Sequence, residues 1–273
     1  ICSSGEANKN SKLDIRYYLT NNSSQAVDFE FYLLVRPYQV NPYYQFLNLA
    51  GGVGKIRNIE QTASQVLKVD DKNILFHSPY HLFSASSFDE GNPVELIRNG
   101  KLPLSLSATD PNGMAGGIVK YNLHLAAGEK LPLFVTVPFH QMLNTAFEPS
   151  PAQVADDFAQ TNEFWEKKTS HISFNLPPSA DKIINTYRSN LVYVLMNRDK
   201  AGIQPGSRSY ERSWIRDGAL TSSALLKSGI VTEVKDFINW YSGYLYENGK
   251  APCVVDSRGP DPVPENDSHG EMI

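Results

Sequence analysis

The chain has 273 residues, 41% of them hydrophobic and 20% charged, with a net charge of −4. That length accommodates one large globular domain or two ordinary ones with real cores, and that composition excludes wholesale disorder. A pI near 5.9 without any basic cluster argues against a nucleic-acid partner, and no apolar run reaches membrane-spanning length.

The 14 Tyr, 13 Phe and 3 Trp favour a β-rich or carbohydrate-handling protein. Cys2 and Cys253 are far apart in sequence and are read as free thiols, not as a disulfide scaffold or zinc site. The chain starts at Ile1 and stops at Ile273 inside an apolar pattern. Both ends therefore read as internal to a longer polypeptide, and they assign no compartment.

The first half reads as β structure. Leu13, Ile15, Tyr17 and Leu19 alternate with Lys12, Asp14, Arg16 and Thr20, the period of two of a half-buried strand. The polar turn 21–24 leads to a second alternation, Val27, Phe29, Phe31 and Leu33. Short strand-like pieces follow at Tyr43–Leu49, Lys55–Ile59, Gln65–Val69, Asn73–His77, His81–Ala85 and Val94–Ile97. The glycine-rich Gly51–Lys55 lacks the spacing and hydroxyl of a phosphate-binding loop and reads as a turn between strands. Val119, Tyr121, Leu123 and Leu125 alternate again, and a turn at Ala127–Glu129 joins them to Leu131–Phe139. Many short strands joined by short loops predict an antiparallel β-sandwich over residues 1–147.

Composition changes at Glu148-Pro-Ser-Pro151, where Ser150 suits an N-cap and Pro151 a first helical turn. Val154, Phe158, Asn162 and Trp165 trace one face of this helix, and an extended piece, His171–Leu176, follows it. Residues 148–178 thus read as a helical linker.

Ser179 suits the cap of the next helix, whose stripe is Ile183, Ile184, Tyr187, Leu191, Val194 and Leu195. The helix expected from Asp217 to Ser228 is small and apolar nearly all round, the pattern of a helix enclosed by others. A third, capped by Thr232, carries Val234, Phe237, Ile238, Tyr241 and Leu245 and ends at Asn248-Gly249. Alternating one-sided and enclosed helices imply an outer and an inner ring. The polar loops 202–216 and 249–269 would then emerge together at one end.

Those loops carry the chemistry. Gly206–Leu220 holds Tyr210, Glu211, Arg212, Trp214, Arg216 and Asp217, aromatic faces for the C–H side of a sugar beside donors and acceptors for its hydroxyls. Pro264-Glu-Asn-Asp-Ser-His-Gly-Glu271 adds Glu265, Asp267 and Glu271. Each residue also has a plainer reading. Asp217 suits an N-cap, Arg216 can pair with Glu211 or Asp217, Trp214 can be a packed aromatic, and the acidic residues can be a solvated loop at a helix start. His269 beside Asp267 lacks further ligand spacing, so neither a metal nor a cofactor is expected.

Trp214-Ile-Arg-Asp-Gly-Ala219 is similar to the aromatic-x-Arg-Asp motif of glucoamylase-like enzymes, and Pro264–Glu271 resembles their Pro-x-x-Asp-Gly motif with Ser-His in place of Gly. The order of a β-sandwich, a helical linker and helical hairpins likewise resembles the six-hairpin glycosidases. The resemblance implies a multi-domain α and β fold whose residues 179–273 begin an incomplete (α/α)6 barrel. It implies a glycoside hydrolase acting on an oligosaccharide or polysaccharide, with Arg216 and Asp217 binding the sugar and Asp267 contributing to a subsite, while Trp214, Tyr210 and Glu271 are substrate-binding candidates by their chemistry and loop position. Hydrolysis needs an acid and a base or nucleophile carboxylate. In that family both come from later hairpins, so the catalytic pair is expected beyond Ile273, in the remainder of the same polypeptide. A sugar phosphorylase, or a non-enzymatic carbohydrate-binding or structural protein, are the alternatives.

Overall fold

A computed structural model of the chain describes residues 1–6, 9–41, 52–140, 147–207, 210–263 and 266–272, the side chains of 40, 41 and 271 excepted. Among these residues the protein is mixed α and β, with antiparallel sheets and six α-helices. It divides into two compact units, the first ending at Glu163 and the second running from Phe164.

Twelve strands of the first unit are β1 (Cys2–Ser4), β2 (Lys12–Thr20), β3 (Val27–Val35), β4 (Tyr38–Asn41), β5 (Gly52–Gly54), β6 (Asn58–Ala63), β7 (Val66–Val69), β8 (Lys72–Phe76), β9 (Leu82–Ser86), β10 (Ser107–Thr109), β11 (Gly116–Leu125) and β12 (Lys130–Pro138). Seven form one sheet in the order β1-β2-β12-β8-β7-β6-β10, three form a second as β3-β11-β9, and β4 pairs with β5. Register follows the alternation. Ile15, Tyr17 and Leu19 stand opposite Val135, Leu133 and Leu131, while Phe31 and Leu33 stand opposite Tyr121 and Val119.

These inward sets meet in one apolar core. The larger sheet contributes Ile59, Leu67, Phe76, Leu133 and Val135, and the smaller contributes Phe83, Ala85, Val119 and Tyr121. Fully burying each large side chain stabilises by about 1.5–3 kcal/mol, which is why a two-sheet arrangement of the kind expected of a sandwich forms here. Gly117 marks where the sheets approach closely, since a Cβ there would lie 2.6 Å from Ile59 Cδ1.

The first unit departs from the sequence reading in three places. Val94–Ile97 is not a strand but lies in helix α1 (Pro93–Arg98), whose start is fixed by Pro93 in the first turn and by Asn92, which accepts from the Val94 N–H. Gly52–Gly54 is a strand, not a turn, and the strand expected at Lys55 starts only at Asn58. The piece expected at Tyr43–Leu49 lies outside the described residues.

Helix α2 (Pro151–Thr169) begins as its sequence requires, with Ser150 Oγ accepting from the Gln153 N–H at 3.3 Å. Val154 is buried and Phe158 and Trp165 are half-buried, but Asn162 is exposed. The division between the units falls within this helix.

The second unit contains a 3-10 turn (Pro178–Ala180), α3 (Asp181–Met196), β13 (Ser213–Trp214), α4 (Ile215–Lys227), α5 (Thr232–Ser242), β14 (Val254–Asp256), β15 (Gly259–Pro260) and α6 (Ser268–Glu271). Its core gathers Leu191, Leu195, Ile203, Ile215, Leu225, Val234, Phe237 and Tyr241. Gly218 on α4 is required by contact with α5, because a Cβ there would stand 2.2 Å from Phe237 Cζ.

Helix starts differ from expectation. Ser179 sits in the 3-10 turn and α3 has no side-chain cap. Thr232 is the first helical residue of α5 instead of its cap, and α5 ends at Ser242, before Leu245. Helix α4 starts two residues earlier than read. It also shows a single buried stripe, Ile215, Gly218, Ser222 and Leu225, with Leu220 and Leu226 exposed.

Candidate functional site

The two polar loops of the second unit do converge. Ser213 and Trp214 pair with Val255 and Val254, and Val255 and Asp256 pair in turn with Pro260 and Gly259, so β13-β14-β15 is a small antiparallel sheet built from both loops. The Ile215 N–H donates to the Cys253 carbonyl at 3.2 Å, which joins this sheet to the start of α4. The second loop is fastened further by the Tyr241 hydroxyl donating to the Pro252 carbonyl at 2.8 Å and the Ala251 N–H donating to His269 Nδ1 at 3.2 Å.

Arg216 and Asp217 occupy the first turn of α4. Arg216 Nε lies 2.8 Å from Asp267 Oδ2, with both side chains nearly half exposed, a partner other than the Glu211 or Asp217 expected from the sequence. Asp217 is not the N-cap, a position held by Trp214 without a side-chain hydrogen bond. Its half-buried carboxylate receives no hydrogen bond from a donor among the described residues, although its own backbone carbonyl accepts from Thr221 Oγ1 at 2.6 Å. An anionic group at this place is favoured by the helix dipole.

Two aromatics precede this turn in the chain and meet each other. The rings of Tyr210 and Trp214 are 6.0 Å apart at 52°, Tyr210 is 58% exposed, and the Arg212 guanidinium lies 5.4 Å from the Trp214 centroid. Arg212 is held from its far side, with Nε 2.7 Å from Asp256 Oδ2 and Nη2 3.1 Å from Asp261 Oδ2. Arg258 adds a second contact to Asp256 at 2.6 Å. The Arg258 guanidinium, acting against the cost of burial, holds the Asp256 carboxyl down at about 2. Asp261 is lowered too, first by the Val263 N–H and then, against burial, by Arg212. A cleft of about 500 Å³ opens along this hairpin, lined by Arg212, Asp256, Arg258 and Asp261.

Of the residues singled out in the sequence, the structure therefore brings Arg216 to Asp267 and Tyr210 to Trp214. Asp267 precedes α6 and Glu271 is its last residue. Glu211 is exposed, and Glu265 lies outside the described residues. Sequence reasoning missed Arg258 and Asp261. Their signal was a charged turn, Asp256-Ser-Arg258-Gly-Pro-Asp261, whose Gly259 at φ 100° makes a tight return possible. Among the described residues no group of three or more His, Cys, Asp or Glu could hold a metal ion.

No protein-family model and no curated protein matches the chain. Among solved structures it is similar to a bacterial glucoamylase complexed with acarbose, at 12% identity and a TM-score of 0.48. The match covers 92% of this chain and 42% of that one, so the chain spans less than half the length of that structure. A likeness this distant assigns no residue a role.

Proposed function

We propose that the second unit forms the sugar-gripping wall of a carbohydrate-active enzyme, most simply a glycoside hydrolase acting on an oligosaccharide or polysaccharide. The observation that carries this reading is the half-buried Asp217 carboxylate, left without a donor among the described residues beside the Arg216–Asp267 pair and the Tyr210–Trp214 aromatics. A pyranose presents hydroxyl donors that such a carboxylate accepts, and a C–H face that an aromatic ring covers. Arg216, half exposed, supplies donors to hydroxyl oxygens. Asp267, paired with Arg216, belongs to the same wall, and Glu271 ends the short helix that follows it.

In this reading residues 1–147 are the supporting sandwich, 148–178 the linker and 179–273 the first hairpins of an (α/α)6 barrel. The acid and base carboxylates come from the remainder of the polypeptide, so the residues named here hold the sugar while others break the bond. The arrangement rests on the resemblance of the two motifs, with the convergence of their loops as its structural support.

The test is to express the chain extended to its natural end and measure reducing-sugar release from a panel of oligosaccharides and polysaccharides. Asp217→Asn should lower kcat/KM about 10- to 100-fold on any cleaved substrate, the worth of one hydrogen bond to a charged group. Release that depends on added inorganic phosphate would identify a phosphorylase instead. No release from any glycan, or a fully active Asp217→Asn variant, would overturn the proposal.

A further inference from the structure

The first unit contains a buried polar line that sugar binding does not use. Asp14 on β2, Thr136 on β12 and His77 just after β8 are all nearly inaccessible, at 0%, 3% and 8% exposure. Thr136 Oγ1 donates to Asp14 Oδ1, and His77 Nε2 lies 2.9 Å from the same Thr136 oxygen. On the opposite edge of the ring, His77 Nδ1 lies 3.0 Å from the backbone nitrogen of Ser150. With so little exposure, this Asp-Thr-His row offers no route for a substrate and is not a nucleophilic centre.

The proton positions in this line are fixed by chemistry. A backbone N–H can only donate, so Nδ1 carries a lone pair toward Ser150. The single Thr136 hydroxyl proton goes to Asp14, which also accepts from Ser4 Oγ at 3.1 Å and lies 3.3 Å from Lys12 Nζ. Thr136 Oγ1 must therefore accept from His77, and the ring is neutral with its proton on Nε2. A second proton on Nδ1 would set two N–H groups against each other.

Ser150 is also where α2 begins. Its hydroxyl accepts from the Gln153 N–H and its carbonyl from the Val154 N–H, both at 3.3 Å. We propose that His77 is a protonation-sensitive latch: the neutral ring holds the first turn of α2 to the sheet, and uptake of one proton releases that turn. The ring is surrounded by Asp14 and Lys12 from β2, Asp157 from α2 and, edge-on at 5.3 Å, the uncharged Phe147. Lys12 bridges to Asp157 at 2.6 Å, a second tie about two turns further along, so the release stays local to the helix start.

Burial pushes the His77 ring below its ordinary value, helped by Lys12 and opposed by Asp14 and Asp157. The sign follows. The folded value lies below the unfolded one of about 6.5, so the latch is fully engaged above that pH and is lost as pH falls through the folded value.

The experiment follows the wild-type ring by nitrogen NMR between pH 8 and 4, with hydrogen exchange of the Ser150, Ala152, Gln153 and Val154 amides over the same range. The proposal expects the Nε2-protonated tautomer at neutral pH, a ring midpoint below about 6.5, and exchange at these amides, corrected for intrinsic rate, rising at least tenfold with that midpoint. In His77→Asn, whose Oδ1 accepts from Ser150 without titrating, the acceleration should vanish. Should that variant fail to fold, the wild-type tautomer and the shared midpoint still decide. A proton on Nδ1 at neutral pH, exchange that ignores the ring titration, or a rise spread evenly over the chain would overturn the latch.

Discussion

Asp14 in the first unit and Asp217 in the second sit in opposite surroundings. In the first, Asp14 is withdrawn from water altogether and engaged by Ser4, Thr136 and Lys12, with His77 and Ser150 continuing the line. In the second, Arg216, Asp267, Tyr210 and Arg258 stay substantially exposed, and the Asp217 carboxylate takes no donor among the described residues. An unpaired charge cannot be buried cheaply, so a fully enclosed carboxylate is stable only when saturated and then serves to fasten elements. A carboxylate open to water loses little by exchanging water for a ligand hydroxyl. Similar residue types can thus be saturated and fasten elements, as at Asp14, or stay accessible, as at Asp217, and accessibility together with saturation separates the two.

The cores can be set against each other first. Phe237, packed among Trp240, Tyr241 and Gly218, anchors the second unit, and Phe237→Ala should cost about 4 kcal/mol in urea unfolding. Next comes a pair of glycines. Gly218→Ala drives a Cβ into the face of a confined ring and should cost about 3 kcal/mol. Gly117→Ala meets the terminal Cδ1 of Ile59 and the edge of Phe83, which have more room to adjust, and should cost about 1–2 kcal/mol. In a Phe237→Ala background the Gly218 penalty should largely disappear, whereas an unchanged penalty would show that the contact is not its cause.

Acid separates the units in a different way. Asp256 is held at about 2, below its unfolded value, so its contribution is complete above the ordinary carboxylate range of about 4 and is lost as pH falls toward 2. Asp256→Asn should remove about 2 kcal/mol at pH 7 and flatten the loss between pH 4 and 2, read from denaturation midpoints at each pH. The smallest effect is expected at Arg216→Ala. Its half-exposed pair with Asp267 is worth about 0.5 kcal/mol to stability, so a large loss there would mean the pair is structural.

The long strands were legible because each is antiparallel and turns one apolar face to the core, which imposes alternation on residues 13–19, 27–33 and 119–125, although Asp14 on the polar side of β2 is itself buried. The short pieces carry too few residues to show a period. Val94–Ile97 looked like a strand from its apolar residues, while Asn92 and Pro93 already held the cap and first-turn signals of a helix. Asp217 looked like a cap because its chemistry suits one, but the start of α4 is set two residues earlier by β13 pairing with β14. The hairpin carrying Arg258 and Asp261 was hidden because β15 is two residues long and one is Pro260. The Asp14–Thr136–His77–Ser150 line joins four distant positions, so no local spacing could reveal it.

Among the described residues strand β13 pairs with β14, and β14 follows both α4 and α5 in the chain. The geometry around Trp214, Arg216 and Asp217 therefore depends on a non-local pairing, Ser213 with Val255 and Trp214 with Val254, whose loop-closure entropy folding has to meet. A synthetic peptide copying residues 206–220 should give a random-coil circular dichroism spectrum despite containing the whole motif. What it lacks is the returning strand that tells the motif where its helix begins.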